Sequence, residues 1–340
     1  MPGFLVPSAV VIEMNFTRRQ FTQAALLTLT TPAMAATPLS PAERTTVADA
    51  SMDCSGALQP LKERGVKVIV RYYALRLQPF LPTKRITKSE ADAILENGFQ
   101  LLIAYQYQNG NIETFSPERA RQDCEVCLDQ GRNVIGQPRG STIYFGVDND
   151  FTDPQDIARI VGYFEQINDS FQQAGNFYRV GVYGPGSICS ELGRRRLVQN
   201  YWIAGFSTGW SGAARFYNSG RWNLFQNALE IPVGSIQADF NVVNASASTI
   251  GSFTRAGPGG PIRNGPEAAL YRFLNRDEPL LDVNTGQPIE QLRARKMVSL
   301  VSVAEGSAIV DAAYQYAGRG EIKRGRCRAA SLTKIDRMPG

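Results

Sequence analysis

Two carboxylates two positions apart, Asp148 and Asp150, end the run Ser141-Thr-Ile-Tyr-Phe-Gly-Val-Asp-Asn-Asp150. β-branched and aromatic residues dominate the run and the turn signal Pro138-Arg139-Gly140 precedes it, so it reads as a strand. Side chains alternate along a strand, which puts Ile143, Phe145 and Val147 on one face and Gly146, Asp148 and Asp150 on the other. The first face suits helices packed over it. The second delivers two acids to the C-terminal tip, a place for acid/base chemistry. The plainer reading is that one Asp caps the next helix and the other binds water or a cation.

The composition narrows that chemistry. The chain has 340 residues and no histidine, which excludes Ser-His-Asp and Cys-His triads, His-ligated zinc and His general bases. Catalysis would have to rest on Asp, Glu, Tyr, Lys or Cys. A net charge of +5 is too mild for a dedicated nucleic-acid binder. Cys124 and Cys127 form a CxxC inside a stretch of helical periodicity, with no second CxxC to complete a zinc site. Small apolar residues on a buried helix face is the simpler reading, with a redox role or a disulfide as the alternatives.

The elements that must carry the acids follow in order. Residues 1–35 have the layout of a signal peptide: Arg18-Arg19, a short apolar stretch from Ala24, and Ala33-Met34-Ala35 as a small-residue cleavage site. The paired arginines with Phe21 two positions on resemble a twin-arginine export signal, and the apolar run is too short to remain in a bilayer. The expected partner is the twin-arginine export machinery, and the expected location is periplasmic, extracellular or envelope-associated. No transmembrane helix is expected in the mature protein. A Pro/Ser/Thr linker covers 36–45. From 46 to 254, strands and helices alternate. Strand one is read from Thr46 to Met52 and ends at Asp53. A capping box, Thr87-Lys-Ser-Glu90, opens one helix, and Ser116-Pro117 opens another. After five βα units the pattern changes to three strands without a convincing helix between them. Eight strands point to an α/β fold, a TIM-type (β/α) barrel whose last third has lost its helices. A doubly wound sheet is the competitor, disfavoured by the strand count and by the lack of a Gly-rich phosphate loop. Residues 255–266 read as a Gly/Pro linker. Residues 267–340 form a small C-terminal extension of unknown role, with a strand-like run Met297 to Val303, a helix-like run Ser307 to Ala317 and a basic, solvated tail.

In such a barrel the site lies at the C-terminal strand ends. Those ends carry Asp53 on strand one, Tyr72 on strand two, Tyr107 on strand three, Asp148 and Asp150 on strand four, and Tyr183 on strand five. Strand six adds Trp202 and Phe206, strand seven Gln226, and strand eight Asp239 and Asn241. Acids among aromatic rings suit a sugar site: carboxylates move protons and flat rings cover the apolar faces of pyranoses.

On Asp53, the Ile143-to-Asp150 run, Trp222-Asn-Leu-Phe-Gln226 and Ala238-Asp-Phe-Asn241, the stretch from Thr46 to about Phe253 resembles the glycoside-hydrolase-like domain of exported bacterial proteins. That group, formerly a domain of unknown function, is itself similar to the muramidase barrels of glycoside hydrolase family twenty-five. The resemblance implies that Asp150 takes the acid/base position, Asp148 the supporting one, and Asp53 and Asp239 flank the sugar. It departs from the muramidases at Asp150, where they carry Glu. The expected function is an exported glycoside hydrolase-like protein acting on cell-envelope glycan, peptidoglycan first, with no cofactor and no metal. The alternatives are a non-catalytic glycan-binding module with a degenerate site and a Ca²⁺- or Mg²⁺-dependent protein using the same acids.

Overall fold

The structure is a computed structural model that describes residues 45–204, 210–264, 271–294, 296–316 and 319–335. The export signal, nearly all of the linker after it and Phe206 lie outside these residues.

Eight strands close a ring: β1 (Val47–Asp49), β2 (Val68–Tyr73), β3 (Gln100–Tyr105), β4 (Thr142–Gly146), β5 (Arg179–Gly184), β6 (Asn200–Ile203), β7 (Leu224–Val233) and β8 (Ile236–Val243). Strands β1 to β7 pair in parallel, and β8 lies antiparallel between β7 and β1. The reversal has a local cause. Only Gly234 and Ser235 join β7 to β8, and a connection that short can make only a hairpin. Gly234 supplies the positive φ, 57°, that such a turn requires. The reversal brings Asp239, near the start of β8, level with Asp49 at the end of β1. Strand one therefore ends at Asp49, four residues short of the expected Asp53.

Helices α1 (Leu58–Glu63), α2 (Lys88–Glu96), α3 (Pro117–Asp129), α4 (Pro154–Gln173) and α5 (Gly186–Arg194) follow the first five strands. Both sequence-marked helix starts are capped as expected: Thr87 accepts from the Glu90 amide and Ser116 from the Arg119 amide. A sixth helix, α6 (Ala213–Asn218), follows β6 where only a loop was expected; its six residues are too few to show a period. The outward strand face, including Ile103, Phe145 and Val182, packs beneath α4 residues Phe164 and Ile167. The inward face, including Val70, Leu102, Tyr144, Trp202 and Leu224, fills the barrel. Ile250 and Ile262 join this inner cluster at the end opposite the acids. The stretch expected as a linker is thus tied to the barrel: β9 (Phe253–Thr254) pairs with β3 and with β10 (Gly257–Pro258). Phe253 just before it and Ile262 within it anchor the stretch by their buried apolar surface, while most of its other described residues stay exposed.

All five cysteines are buried and free. Burial pushes the Cys54 thiol up to about 12 and Cys327 up to about 11, and raises Cys124, Cys127 and Cys189 as well. Cys124 and Cys127 lie on the buried face of α3, which favours the structural reading of the CxxC. Ellman's reagent at pH 8 is expected to find no reactive thiol in the native protein and five after denaturation. A native cysteine titrating within minutes would contradict the buried placement.

The C-terminal region is a second sheet, ordered β13-β12-β16-β15-β14-β11-β17. Its strands are β11 (Tyr271–Leu274), β12 (Glu278–Leu281), β13 (Pro288–Leu292), β14 (Met297–Ala304), β15 (Ser307–Tyr316), β16 (Arg319–Arg328) and β17 (Leu332–Ile335). Two expectations are corrected here. The run from Ser307 is a strand because Ala308, Val310 and Ala312 alternate into the sheet's core, a period of two that outweighs alanine's helix preference. The basic stretch from Arg319 is not a solvated tail through its length, because it pairs with β15 and its charges find acids. Arg324 chelates Asp311, and Arg328 with Ser331 holds the buried Glu278. The Arg328 guanidinium keeps the Glu278 carboxyl down at about 2, from 4.5. A depressed carboxyl stabilises the fold above its unfolded value and ceases to do so once protonated. Stability is therefore expected to fall as pH drops from about 4.5 to about 2, and Glu278→Gln should flatten that slope in thermal melts. An unchanged slope would mean other carboxylates set the acid limb.

Candidate functional site

The C-terminal ends of the strands gather a chain of polar side chains. Asp49 points inward from β1 and is fully buried. Its Oδ1 accepts from the Tyr72 hydroxyl at 2.8 Å, and its Oδ2 from Asn241 Nδ2 at 2.9 Å and Gln226 Nε2 at 3.2 Å. Gln226 Nε2 also donates to Asp239 Oδ2 at 3.0 Å, while the Tyr183 hydroxyl donates to Gln226 Oε1 at 3.1 Å. The Trp202 indole donates to Asn241 Oδ1 at 2.7 Å. Six of the sequence-nominated residues, Tyr72, Tyr183, Trp202, Gln226, Asp239 and Asn241, therefore meet in one buried network around Asp49. A buried carboxylate of this kind persists because its oxygens are hydrogen-bonded.

Beside the network stands Lys84, from the loop between β2 and α2. Its ammonium lies 4.8 Å from the centre of the Tyr72 ring and donates to Gln106 Oε1 at 2.8 Å. Gln106 in turn donates from Nε2 to Asp148 Oδ2, also at 2.8 Å. Contacts thus run from Asp148 through Gln106, Lys84 and Tyr72 to Asp49, and on through Gln226 to Asp239. Asp148 is only half-buried, at the outer end of that chain.

Asp150 occupies a different niche. Both its oxygens accept from the Ser211 amide at 3.0 Å, and Oδ2 also accepts from the Ser211 hydroxyl at 3.1 Å. Ser211 belongs to the loop before α6, and the Ser211 carbonyl accepts from Ser187 at the start of α5. Gly186 permits this approach, since a Cβ there would collide with the Gly212 carbonyl. Asp150 therefore ties the β6–α6 loop to the acid-bearing strand tip. Trp210, next to Ser211, is half-buried against the barrel's inner cluster.

Besides Asp150, two nominated residues stand apart from the network. Asp53 lies beyond the end of β1, caps the turn at Ser55 through its Oδ1 at 2.7 Å, and borders a lateral cavity of about 520 Å³ with Leu77, Arg85 and Gln130. Tyr107 turns toward the helix layer, where Arg119 sits 4.9 Å from its ring centre. Trp202 reaches the network as filling rather than as an open platform: it is 1% exposed, with Tyr183 4.7 Å from its ring centre.

Sequence reasoning missed Asp49, Lys84, Asn109 and Trp210. Asp49 was legible from alternation, on the inward face with Val47 and opposite Ala48. Lys84 and Trp210 sit on loops, where periodicity carries no signal. Asn109 is 1% exposed; its carbonyl accepts from the Asp148 amide, and its Nδ2 is buried with no hydrogen-bond partner among the described residues. No group of three His, Cys, Asp or Glu side chains that could hold a metal ion occurs among the described residues. None of their helices is long and apolar enough to cross a membrane.

Two Bacillus subtilis proteins are similar to this chain: uncharacterized protein YbfG, 29% identical over 184 residues, and uncharacterized protein FadG, 28% identical over 182. The matches cover 52% and 53% of this chain but only 25% and 31% of those proteins, so the chain spans about a quarter to a third of the curated relatives it matches. Among solved structures, the Mycobacterium tuberculosis Tat-secreted protein Rv2525c in complex with L-tartrate aligns at 19% identity and a TM-score of 0.48, covering 62% of this chain and 99% of that one. The family model of the Rv2525c-like, glycoside hydrolase-like domain matches residues 59–240, just over half of the sequence and most of the barrel. The chain belongs to the Rv2525c-like, glycoside hydrolase-like domain family.

Proposed function

We propose that the chain is an exported protein acting on cell-envelope glycan, peptidoglycan first, with the sugar held at the barrel mouth between Asp148 and the β6–α6 loop. The observation that carries this reading is the run of contacts joining Asp148, Lys84, Asp49 and Asp239 at one end of a closed barrel. A half-buried carboxylate backed by an oriented amide is suited to proton transfer. Trp210, half-buried beside Ser211, offers the ring that a pyranose needs. Asp150, whose oxygens are taken up by Ser211, is assigned to holding the loop, and Asp148 to carrying the proton. Export is supported by Arg18-Arg19 and the small-residue cleavage site after them.

A second reading is favoured by Asp150 itself. A carboxylate committed to Ser211 at the position where muramidases carry their acid suits a barrel that holds glycan without cutting it. Purified mature protein incubated with peptidoglycan and with chitin oligomers separates the two. Release of soluble saccharides supports hydrolysis, and retention on the insoluble glycan without release supports binding. Neither release nor retention would sink the glycan assignment.

A further inference from the structure

The C-terminal sheet lies outside the family match, yet it touches the network. Strand β7 is irregular: its register with β8 shifts between Gln226 and Ala228 and again before Ile231. Within this bulge Glu230 holds φ at 53°, a conformation L residues other than Asn and Asp rarely adopt. That twist aims the Glu230 amide at Asp239 Oδ1, 2.7 Å away. Gln226 holds the other oxygen, so the two donors fix the Asp239 carboxylate on both sides. The outer side of the bulge is gripped by Arg324 of β16, whose guanidinium donates to the Glu230 carbonyl at 3.0 Å and to the Leu229 carbonyl. Arg324 is aimed in turn by the buried Asp311 of β15, in a bidentate pair at 2.8 Å. Ile309 of the same strand packs on the barrel's outer core, and β14 lies against β7.

We infer that the C-terminal sheet is a positioning module for the barrel mouth, with Arg324 as the positioning residue that holds the β7 bulge so that Glu230 orients Asp239. The planar fork is essential to this: one guanidinium spans two successive carbonyls while paired to a carboxylate, which a lysine ammonium cannot reproduce. The positioning holds whether or not the mouth binds glycan; the consequence for glycan retention rests on the function proposed above.

Amide hydrogen exchange on the full chain tests it, with residue-level readout at Glu230. Arg324→Gln is expected to speed exchange at Glu230 at least tenfold while leaving the amides of β2 and β3 unchanged. Arg324→Lys should do the same in a chain that keeps the β15–β16 pairing. Arg293→Gln, which breaks an exposed pair with Asp277 elsewhere in the sheet, should leave Glu230 protected. Glu230 protection retained in either Arg324 variant overturns the inference, as does its equal loss in Arg293→Gln. Peptidoglycan retention, measured in parallel, should weaken about tenfold in Arg324→Gln if the wild type binds. A wild type that does not bind, with Glu230 deprotected in the variant, removes the glycan reading and leaves the positioning role standing.

Discussion

Glu90→Ala is expected to destabilise the barrel by about 3–5 kcal/mol, the cost of leaving a buried charge unpaired. Arg71 is fully buried on β2 and donates to both Glu90 oxygens, through Nε at 2.5 Å and Nη2 at 3.0 Å. The same guanidinium donates to the Ala50 carbonyl at 2.5 Å and the Thr83 carbonyl at 2.7 Å, and Glu90 also accepts from the Cys54 amide at 2.8 Å. One ion pair therefore pins the loop after β1 and the loop that carries Lys84. Replacing both partners by apolar residues often restores stability at a buried pair. Here an Arg71→Met, Glu90→Leu double variant should recover only part of the loss, because the Ala50 and Thr83 carbonyls stay without their donor. Urea denaturation of the two variants decides the matter. A double variant as stable as wild type would show that the pair tethers neither loop.

Glu90 also shows how far the sequence could be read. The capping box beginning at Thr87 located the start of α2 correctly, yet a capping box assigns the Glu90 side chain to the Thr87 amide, and it turns instead to the buried Arg71. Local rules find where a helix starts because the cap is local. They do not find a partner 19 residues away on a strand. The β4 run was legible for a similar reason: alternation sets Tyr144 inside and Ile143, Phe145 and Val147 outside, as observed. Closure of the ring followed from counting strands, but the reversal of β8 depends on a two-residue turn and went unread. Asp239 and Gln226 were found because they lie on strands with clear alternation. Lys84 and Trp210 were not, because a loop's side chains are aimed by tertiary contacts alone. The strand from Met297 was read as one, but β15 beside it was hidden by alanines, whose helix preference masks a period of two until Ala308, Val310 and Ala312 are seen on one face.

Asp148→Asn is expected to lower saccharide release by about 10²–10⁴-fold, the usual contribution of a positioned acid or base, while retention on glycan stays near that of wild type. The substitution keeps the side chain's shape and the Asn oxygen can still accept from Gln106 Nε2, while the carboxyl's charge and its titrating proton are lost together. Asp150→Asn should behave differently. An amide in that position accepts through one oxygen where the carboxylate now uses two, so the hold on Ser211 weakens and the loop carrying Trp210 loosens. Its effect should fall first on retention, with release following in proportion. The two variants thus separate chemistry from grip: a drop in release at constant binding assigns the proton to Asp148. The reverse pattern, with Asp150→Asn silent in binding and inactive in release, would move the acid role to Asp150 and make the Ser211 contact a resting arrangement. Equal release by wild type and Asp148→Asn would take the proton away from Asp148 and point to Asp150, the other acid of that strand tip, because Asp49 and Asp239 are both buried.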